Sequence, residues 1–154
     1  MIVSNLQEFC QFLKIGQPII SIDYGQKKIG IAISNQEQTI AMPLKILIGL
    51  NEKTKLKAIS DIIKLYSVCA IVLGLPISMD GTASQQTQIV KNFAENLKNI
   101  FNLPIYLQDE RLTSRAADSL LKSFGMTRKE RNSQDDAIAA SMLLETTINA
   151  IKKL

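Results

Sequence analysis

The chain has 154 residues, 46% of them hydrophobic and 21% charged, and its net charge of +4 is compatible with a nucleic-acid partner. This length and composition predict one domain with a buried core and exclude disordered and fibrous proteins. The sequence contains no histidine, which excludes Ser-His-Asp and Cys-His nucleophilic sites, histidine general bases and histidine-ligated zinc.

The N-terminal part of the chain predicts one short helix followed by three strands. The helix covers residues 4–13, where apolar side chains recur at helical spacing. Two apolar runs, over 19–22 and 29–34, then predict strands joined by a hairpin turn. A third strand covers 40–48, and Pro43 favours an edge or bulged position for it because proline donates no ladder hydrogen bond.

The rest of the chain predicts alternating helices and strands. A continuous apolar run over 69–73 is typical of a strand buried on both faces. The alternation predicts an α/β domain with a mixed five-stranded sheet flanked by helices. The remaining predicted elements are a strand over 105–108 and helices over 51–66, 84–100, 113–123 and from about residue 133 onward.

Compartment and membrane association follow from the cysteines and the apolar runs. Cys10 and Cys69 lie far apart in apolar surroundings, without C-x-x-C spacing, and predict reduced thiols. No apolar run reaches the length of about 20 residues that crosses a bilayer, and the N-terminus lacks the pattern of a secretory signal. We therefore expect a cytoplasmic protein with no membrane partner.

Acidic residues stand at the ends of predicted elements. Asp23 ends the first main strand, Asp109 and Glu110 end a later one, and Asp136 lies near the start of the last helix. Side chains alternate across a sheet, so only one of Asp109 and Glu110 can face a given site. Sites in open α/β sheets form beside strand ends. Carboxylates that meet there repel one another unless a cation neutralises them, and an all-oxygen ligand set favours Mg²⁺ or Mn²⁺.

Each of these acids also has a purely structural interpretation. Asp23 could be an ordinary turn residue that bonds its own backbone. Glu110 could form a surface ion pair with Arg111. Asp136 stands three residues after Ser133, so the two could form a capping box at the helix start.

The segment 74–82 is a long connection of small residues between a buried strand and a helix start, where phosphate can bind. Its Asp80-Gly81 pair is equally compatible with an ordinary turn. Basic residues provide further candidate phosphate contacts, although charge clusters are often only solvated faces. These residues are Lys27, Lys28, Arg128, Lys129 and Arg131.

Four sequence blocks together resemble the YqgF/RuvX family, described as pre-16S rRNA nucleases and formerly as Holliday junction resolvases. The blocks occur in order and at compatible spacing between residues 19 and 148, nearly the whole chain. They are Ile22-Asp23-Tyr24-Gly25 continuing through Lys28-Ile29-Gly30-Ile31-Ala32, Gly74-Leu75-Pro76 with Met79-Asp80-Gly81, Asp109-Glu110-Arg111-Leu112-Thr113, and Asp136 with Ala139-Ala140 and Leu143-Leu144.

The resemblance implies an RNase H-like fold and a nuclease that depends on Mg²⁺ or Mn²⁺. Two ions about 3.5–4 Å apart would activate a water and stabilise the leaving oxygen. Family members begin close to the first main strand, so residues 1–17 are expected to be an N-terminal helical extension of a nuclease domain over 18–154. The resemblance selects Glu110 over Asp109, and the implied catalytic and metal-binding residues are Asp23, Glu110 and Asp136.

The resemblance also suggests where nucleic acid is held. Basic residues often precede the final acid in the family, but Asn132-Ser133-Gln134 stand there in this chain, which shifts the expected contacts upstream. The expected nucleic-acid-binding residues are Lys28, Arg111, Arg128, Lys129 and Arg131. The expected cleft residues are Gly25, Gly74, Pro76, Asp80 and Gly81.

The expected function is processing of the 5′ end of pre-16S rRNA in ribosome biogenesis, by a monomer or a homodimer. Cleavage of branched DNA by a Holliday junction resolvase in recombination or repair would use the same acids, and a symmetric dimer would make the paired cuts. A non-catalytic nucleic-acid-binding module is a further alternative. The Asp23-Tyr24-Gly25 hairpin also resembles the phosphate loop of actin-like ATPases and sugar kinases, but these build their nucleotide cleft from two such domains, and 154 residues are not expected to supply the second.

Overall fold

The computed structural model describes residues 1–3, 5–25, 27–78, 80–110, 125 and 128–154, and in the last range it describes side chains from residue 138 onward. The helix predicted over 113–123 lies outside the described residues. The described elements, in chain order, are β1 (Ile2–Val3), α1 (Leu6–Gln11), β2 (Ile19–Tyr24), β3 (Lys28–Ser34), β4 (Ala41–Ile48), α2 (Glu52–Tyr66), β5 (Ala70–Leu75), α3 (Gln85–Ile100), β6 (Ile105–Asp109) and α4 (Arg128–Lys152).

The strands form one mixed sheet in the order β1-β6-β5-β2-β3-β4. Strands β1, β6, β5 and β2 are parallel to one another, whereas β3 is antiparallel to both β2 and β4. The predicted mixed sheet is therefore confirmed, but the predicted number of five strands is wrong. The additional strand is β1, which pairs Ile2 with Ile105, and two residues are too few to produce a periodic pattern.

Burial explains the order of the strands. The central strands β2 and β5 are apolar runs with side chains buried on both faces, as the sequence predicted for 69–73. Strand β4 lies at the edge and exposes several of its side chains. Pro43 pairs with Ala32 beside a register shift between Ile31 and Ala32, which confirms its predicted edge and bulge position.

The sheet divides the core into two layers. On one face, β2 side chains such as Ile20 and Ile22 pack with Ile59 of α2 and Phe93 of α3. On the other face, Ile19 belongs to a second cluster that α1 and α4 complete. The α1 residue in that second cluster is Phe9, and the α4 residues are Ala140, Leu143, Leu144 and Ile148.

Helix boundaries follow their capping residues. The N-cap of α1 is Asn5 rather than the expected start at residue 4, and its side chain accepts a hydrogen bond from Glu8 N. Asn51 caps α2 in the same way. Helix α4 begins at Arg128 rather than near Ser133. None of the described helices is long and apolar enough to cross a membrane.

Candidate active site at the carboxyl ends of the parallel strands

Three parallel strands, β2, β5 and β6, end side by side at one edge of the sheet. We call this edge, formed by residues 23–24, 74–75 and 109–110, the carboxyl edge. The register pairs Ile22 with Leu73, and Leu75 with Asp109. The backbone N–H of Glu110 donates to the Leu75 carbonyl at 3.3 Å, which extends the ladder by one residue. Asp23 and Glu110 therefore flank β5 from its two sides.

The carboxyl groups of Asp23 and Glu110 meet across β5 and share a side-chain hydrogen bond. Burial, the charge of Asp23, this hydrogen bond and the charge of Asp109 raise the pKa of the Glu110 carboxyl from 4.5 to about 8. Two carboxyls this close cannot both ionise without a strong repulsion, so without a cation the pair retains a proton at neutral pH. The structure thus brings together two of the three predicted acids.

Gly74 makes the approach of the two acids possible. It lies on β5 between Asp23 and Glu110, and a Cβ built there would collide with the Glu110 carboxylate and lie 3.1 Å from Leu143 Cδ2. Any other residue at this position would displace Glu110 or Leu143. The predicted cleft residue Gly74 is therefore the residue whose missing side chain leaves room for the Glu110 carboxylate.

The third predicted acid, Asp136, lies on α4, and its side chain is outside the described part of the structure. Ser21, which faces the same side of β2 as Asp23, donates its buried hydroxyl to the Ala140 carbonyl at 2.6 Å. At the other end of α4, Lys152 Nζ donates to the Thr39 carbonyl in the β3–β4 turn. From Ala140 onward, helix α4 therefore runs away from the carboxyl edge, and Asp136 precedes Ala140 by about one helical turn in the sequence.

The turn after Asp23 is tight. A Cβ at Gly25 would lie 2.5 Å from the Lys28 carbonyl oxygen, so only glycine allows this close approach of the backbone. Lys28 begins β3 and its side chain is exposed. The turn therefore places one predicted nucleic-acid-binding residue five positions after Asp23, near the carboxyl edge.

The predicted cleft loop between β5 and α3 is folded by its own hydrogen bonds. The Pro76 carbonyl accepts a hydrogen bond from the Thr87 hydroxyl of α3. Asp80 Oδ1 accepts from the Thr82 N–H at 3.0 Å and from its hydroxyl at 2.7 Å. Gly81 has a φ of +88°, which favours glycine, and its N–H donates to the Ser78 carbonyl. The loop thus has the turn chemistry that the Asp80-Gly81 pair predicted.

The other predicted nucleic-acid contacts lie partly or wholly outside the described residues. Arg111 is not described. Arg128, Lys129 and Arg131 lie in the first turn of α4, but their side chains are not described. Their placement by sequence therefore stays a prediction.

A cluster around Tyr24 was not anticipated from the sequence. The Tyr24 ring packs on Phe93 with ring centroids 4.2 Å apart, and Lys55 Nζ lies 5.2 Å from the ring centroid. The Tyr24 hydroxyl donates to Glu52 at 3.4 Å. Lys55 is only 5% exposed. Its position four residues before buried Ile59 on α2 is the sequence signal that could have indicated an inward-facing lysine.

The donor set at the carboxyl edge fits a divalent cation. Asp23 and Glu110 supply hard carboxylate oxygens in contact with one another, and Asp109 adds a third negative charge close enough to raise the pKa of Glu110. Among the described side chains, no group of three acidic, histidine or cysteine residues forms a complete metal site.

Comparison with known proteins shows full-length relatives. A sequence model of the family described as RuvX: Holliday junction resolvase matches residues 17–150. The chain is 56% identical over 154 residues to a protein of Rickettsia felis, and 58% identical to one of Rickettsia bellii, covering 100% of each chain. Both relatives carry the name "Putative pre-16S rRNA nuclease".

The fold also matches a solved structure. Thermus thermophilus RuvC, in complex with a Holliday junction substrate, superposes with a TM-score of 0.54, covering 87% of this chain and 96% of that one. The sequences are only 12% identical, so the match shows the fold alone. The fold is the RNase H-like fold expected from the sequence.

Proposed function

This chain belongs to the RuvX family, and on that premise we propose that it is a metal-dependent nuclease that processes the 5′ end of pre-16S rRNA. The observation that supports this most directly is the hydrogen-bonded Asp23–Glu110 pair at the ends of parallel strands. The name shared by the two full-length relatives supports the choice of substrate. An enzyme of rRNA processing acts where rRNA is made, so the proposal includes a cytoplasmic location.

The proposed cofactor is Mg²⁺ or Mn²⁺, because these ions prefer the carboxylate oxygens available here. When bound, such an ion lowers the pKa of a water and neutralises charge that develops on the phosphodiester. Asp23 and Glu110 would hold the ion, with Asp136 from α4 as the proposed third ligand. Binding would release the proton that the Asp23–Glu110 pair retains, because the cation stabilises the doubly ionised pair.

The remaining residues of the site would position the substrate. Lys28, exposed beside the carboxyl edge, would contact a backbone phosphate, and Arg111, Arg128, Lys129 and Arg131 are proposed for the same role. The folded loop from Gly74 to Thr82 would form one wall of the cleft, since Pro76 is tied to α3 by Thr87. Gly74, which has no side chain, leaves room for the Glu110 carboxylate.

The test is a cleavage assay on RNA that carries the 5′ precursor segment of 16S rRNA, with Mg²⁺ or Mn²⁺ and with a chelator. We expect metal-dependent cleavage that Asp23→Asn and Asp136→Asn each abolish while circular dichroism shows a retained fold. Glu37→Gln, at an exposed position of the β3–β4 turn, is the control and should cleave normally. Full activity of the Asp23→Asn variant would remove Asp23 from the mechanism.

A second candidate is a Holliday junction resolvase, which the description of the matching family favours. A four-way DNA junction in the same assay distinguishes the two. Paired, symmetric cuts by a homodimer would support the resolvase, whereas cleavage of the RNA alone would support rRNA processing. Calorimetry with Mn²⁺ tests the third alternative, because a non-catalytic module would bind nucleic acid without binding the ion.

A further inference from the structure

A groove of about 370 Å³ lies between α2 and the end of α3. We call it the lysine groove, because its α2 wall carries Lys53, Lys57 and Lys64, all of which are exposed. Its apolar lining residues are half-buried Leu56 and Ile100, which is 54% exposed, and Ser60 and Asp61 complete the lining. The groove therefore combines a row of cations with an apolar surface that stays open to solvent.

The three lysines form a row along the helix. They are four and seven residues apart, which places them within an arc of about 40° on one side of α2, with rises of about 6 and 10 Å between them. Lys57 pairs with Asp61 at 3.5 Å. Within the described part of the chain, Lys53 and Lys64 form no ion pair. Most of the positive charge of the row is thus available to a ligand.

The first turn of α2, which carries Lys53 of the lysine groove, contacts the end of β2. The Tyr24 hydroxyl contacts Glu52 at 3.4 Å, and Lys53 follows Glu52 on α2, just as Tyr24 follows Asp23 on β2. Asp23 faces α4, whereas Tyr24 faces α2 and α3, so the groove and the acids lie on opposite faces of the sheet. Lys53 is therefore the groove lysine nearest in sequence to the contact between Tyr24 and Glu52.

We propose that the lysine groove binds a single-stranded segment of the nucleic-acid substrate as it leaves the carboxyl edge. Lys53, Lys57 and Lys64 contact successive backbone phosphates, and Leu56 and Ile100 pack against riboses or bases. Charge complementarity supports this occupant, as does the contact that joins the first turn of α2 to the strand carrying Asp23, and recognition through phosphates is independent of sequence. The inference rests on the proposed nuclease function and adds a second substrate contact outside the cleft.

The test measures binding of fluorescent oligouridylate of about 12 nucleotides, a length within the usual range of single-strand sites, to the full chain without divalent metal. The triple variant Lys53→Gln, Lys57→Gln, Lys64→Gln should bind roughly tenfold more weakly, and the slope of log K against log salt should fall by about 2. The matched control Lys14→Gln, Lys45→Gln, Lys153→Gln removes the same charge from exposed positions outside the groove. It should bind almost as the wild type does.

Four outcomes decide the proposal. Equal binding by the two triple variants, both folded by circular dichroism, would overturn it. If the groove variant loses binding to both oligouridylate and oligothymidylate, the groove recognises the phosphate backbone that RNA and DNA share. If it loses binding to oligouridylate alone, the groove recognises RNA. Lysine-dependent binding of poly-glutamate with unchanged RNA binding would overturn it in favour of an acidic protein partner.

A substitution that should increase the affinity for oligouridylate provides an independent test. Asp61→Asn removes the acid that pairs with Lys57, so it should tighten oligouridylate binding about two- to threefold. Glu95→Gln is the control, because Glu95 pairs with Lys98 at 3.1 Å on α3 outside this groove, and it should have a smaller effect. These assays measure binding alone. A wild-type protein that binds through the groove but never cleaves would refute the nuclease proposal and leave the groove assignment standing.

Discussion

The two faces of β2 differ at neighbouring residues. Asp23 points toward α4 and meets the carboxyl of Glu110, whereas Tyr24 points toward α2 and α3 and packs among Phe93, Lys55 and Glu52. The first face places charged groups in an arrangement that costs stability without a cation. The second face surrounds the same strand end with favourable contacts. The same strand end thus carries a mutually repelling pair of acids on one face and stabilising packing contacts on the other.

Among substitutions that test the difference between the two faces of β2, Glu110→Gln should have the largest effect. Because Glu110 is a proposed metal ligand, the rate of cleavage should fall at least about 100-fold. Loss of a residue that only supports a metal ligand already lowers activity by up to about 100-fold. At the same time the variant should be more stable than the wild type at pH 8 without metal, since the amide carries no charge against Asp23. Steady-state cleavage and thermal unfolding measure the two effects, and Glu37→Gln is the matched control. Normal cleavage by the Glu110→Gln variant would show that Glu110 is not a metal ligand needed for the reaction.

The second effect is a dependence of stability on pH. The pKa of Glu110 is raised from 4.5 to about 8 in the folded protein, so the folded state binds the extra proton. The contribution of this bound proton to stability is therefore fully present below about pH 4.5 and is lost as the pH rises to about 8. We expect a loss of roughly 1–3 kcal/mol, because each pKa unit corresponds to about 1.4 kcal/mol and solvent screens part of the repulsion.

Urea unfolding at several pH values, with a chelator present, measures this loss of stability. Addition of Mg²⁺ at pH 8 should restore most of it, and the Glu110→Gln variant should show a much flatter profile. A wild-type stability that rises between pH 5 and pH 8 would contradict the charge arrangement at the carboxyl edge.

A third, smaller effect is expected from Gly74→Ala. The added Cβ would collide with the Glu110 carboxylate, so we expect roughly a tenfold loss of Mn²⁺ affinity and of cleavage rate. In a Glu110→Gln background the same substitution should add little, because the displaced group is already inactive. Equal losses in both backgrounds would show that Gly74 acts through packing against Leu143 instead.

The smallest effect should come from the opposite face. Tyr24→Phe keeps the ring on Phe93 and removes only the 3.4 Å hydrogen bond to Glu52, so the free energy of unfolding should fall by about 0.5–1 kcal/mol. Cleavage by the folded protein should stay close to that of the wild type. A loss of activity as large as that of Gly74→Ala would show that the two faces of β2 are coupled.

The sequence predicted the sheet well because most strands are distinct apolar runs. The hairpin of β2 and β3, the buried β5 and the edge strand with Pro43 all follow from such runs. Strand β1 was missed because its two residues pair only with a distant segment. The start of α4 at Arg128 was missed because polar residues hide helical periodicity there.

The site was predicted less completely than the fold. Alternation along a strand left Asp109 and Glu110 open, and only the family resemblance selected Glu110, whose carboxyl the structure places against Asp23. The need for glycine at position 74 is a three-dimensional property, since it depends on Glu110 and Leu143 from two other elements. The burial of Lys55 depends in the same way on Tyr24, a residue from another element.

The pairing of β1 with β6 also has a consequence for synthesis on the ribosome. Ile2 leaves the ribosome before its partner Ile105, which is translated about a hundred residues later. The hairpin of β2 and β3 joins residues close in sequence and can form early, whereas β1 must wait for β6 to emerge. The outer end of the sheet is therefore completed late in folding, after the strand that carries Asp23 already has its antiparallel neighbour.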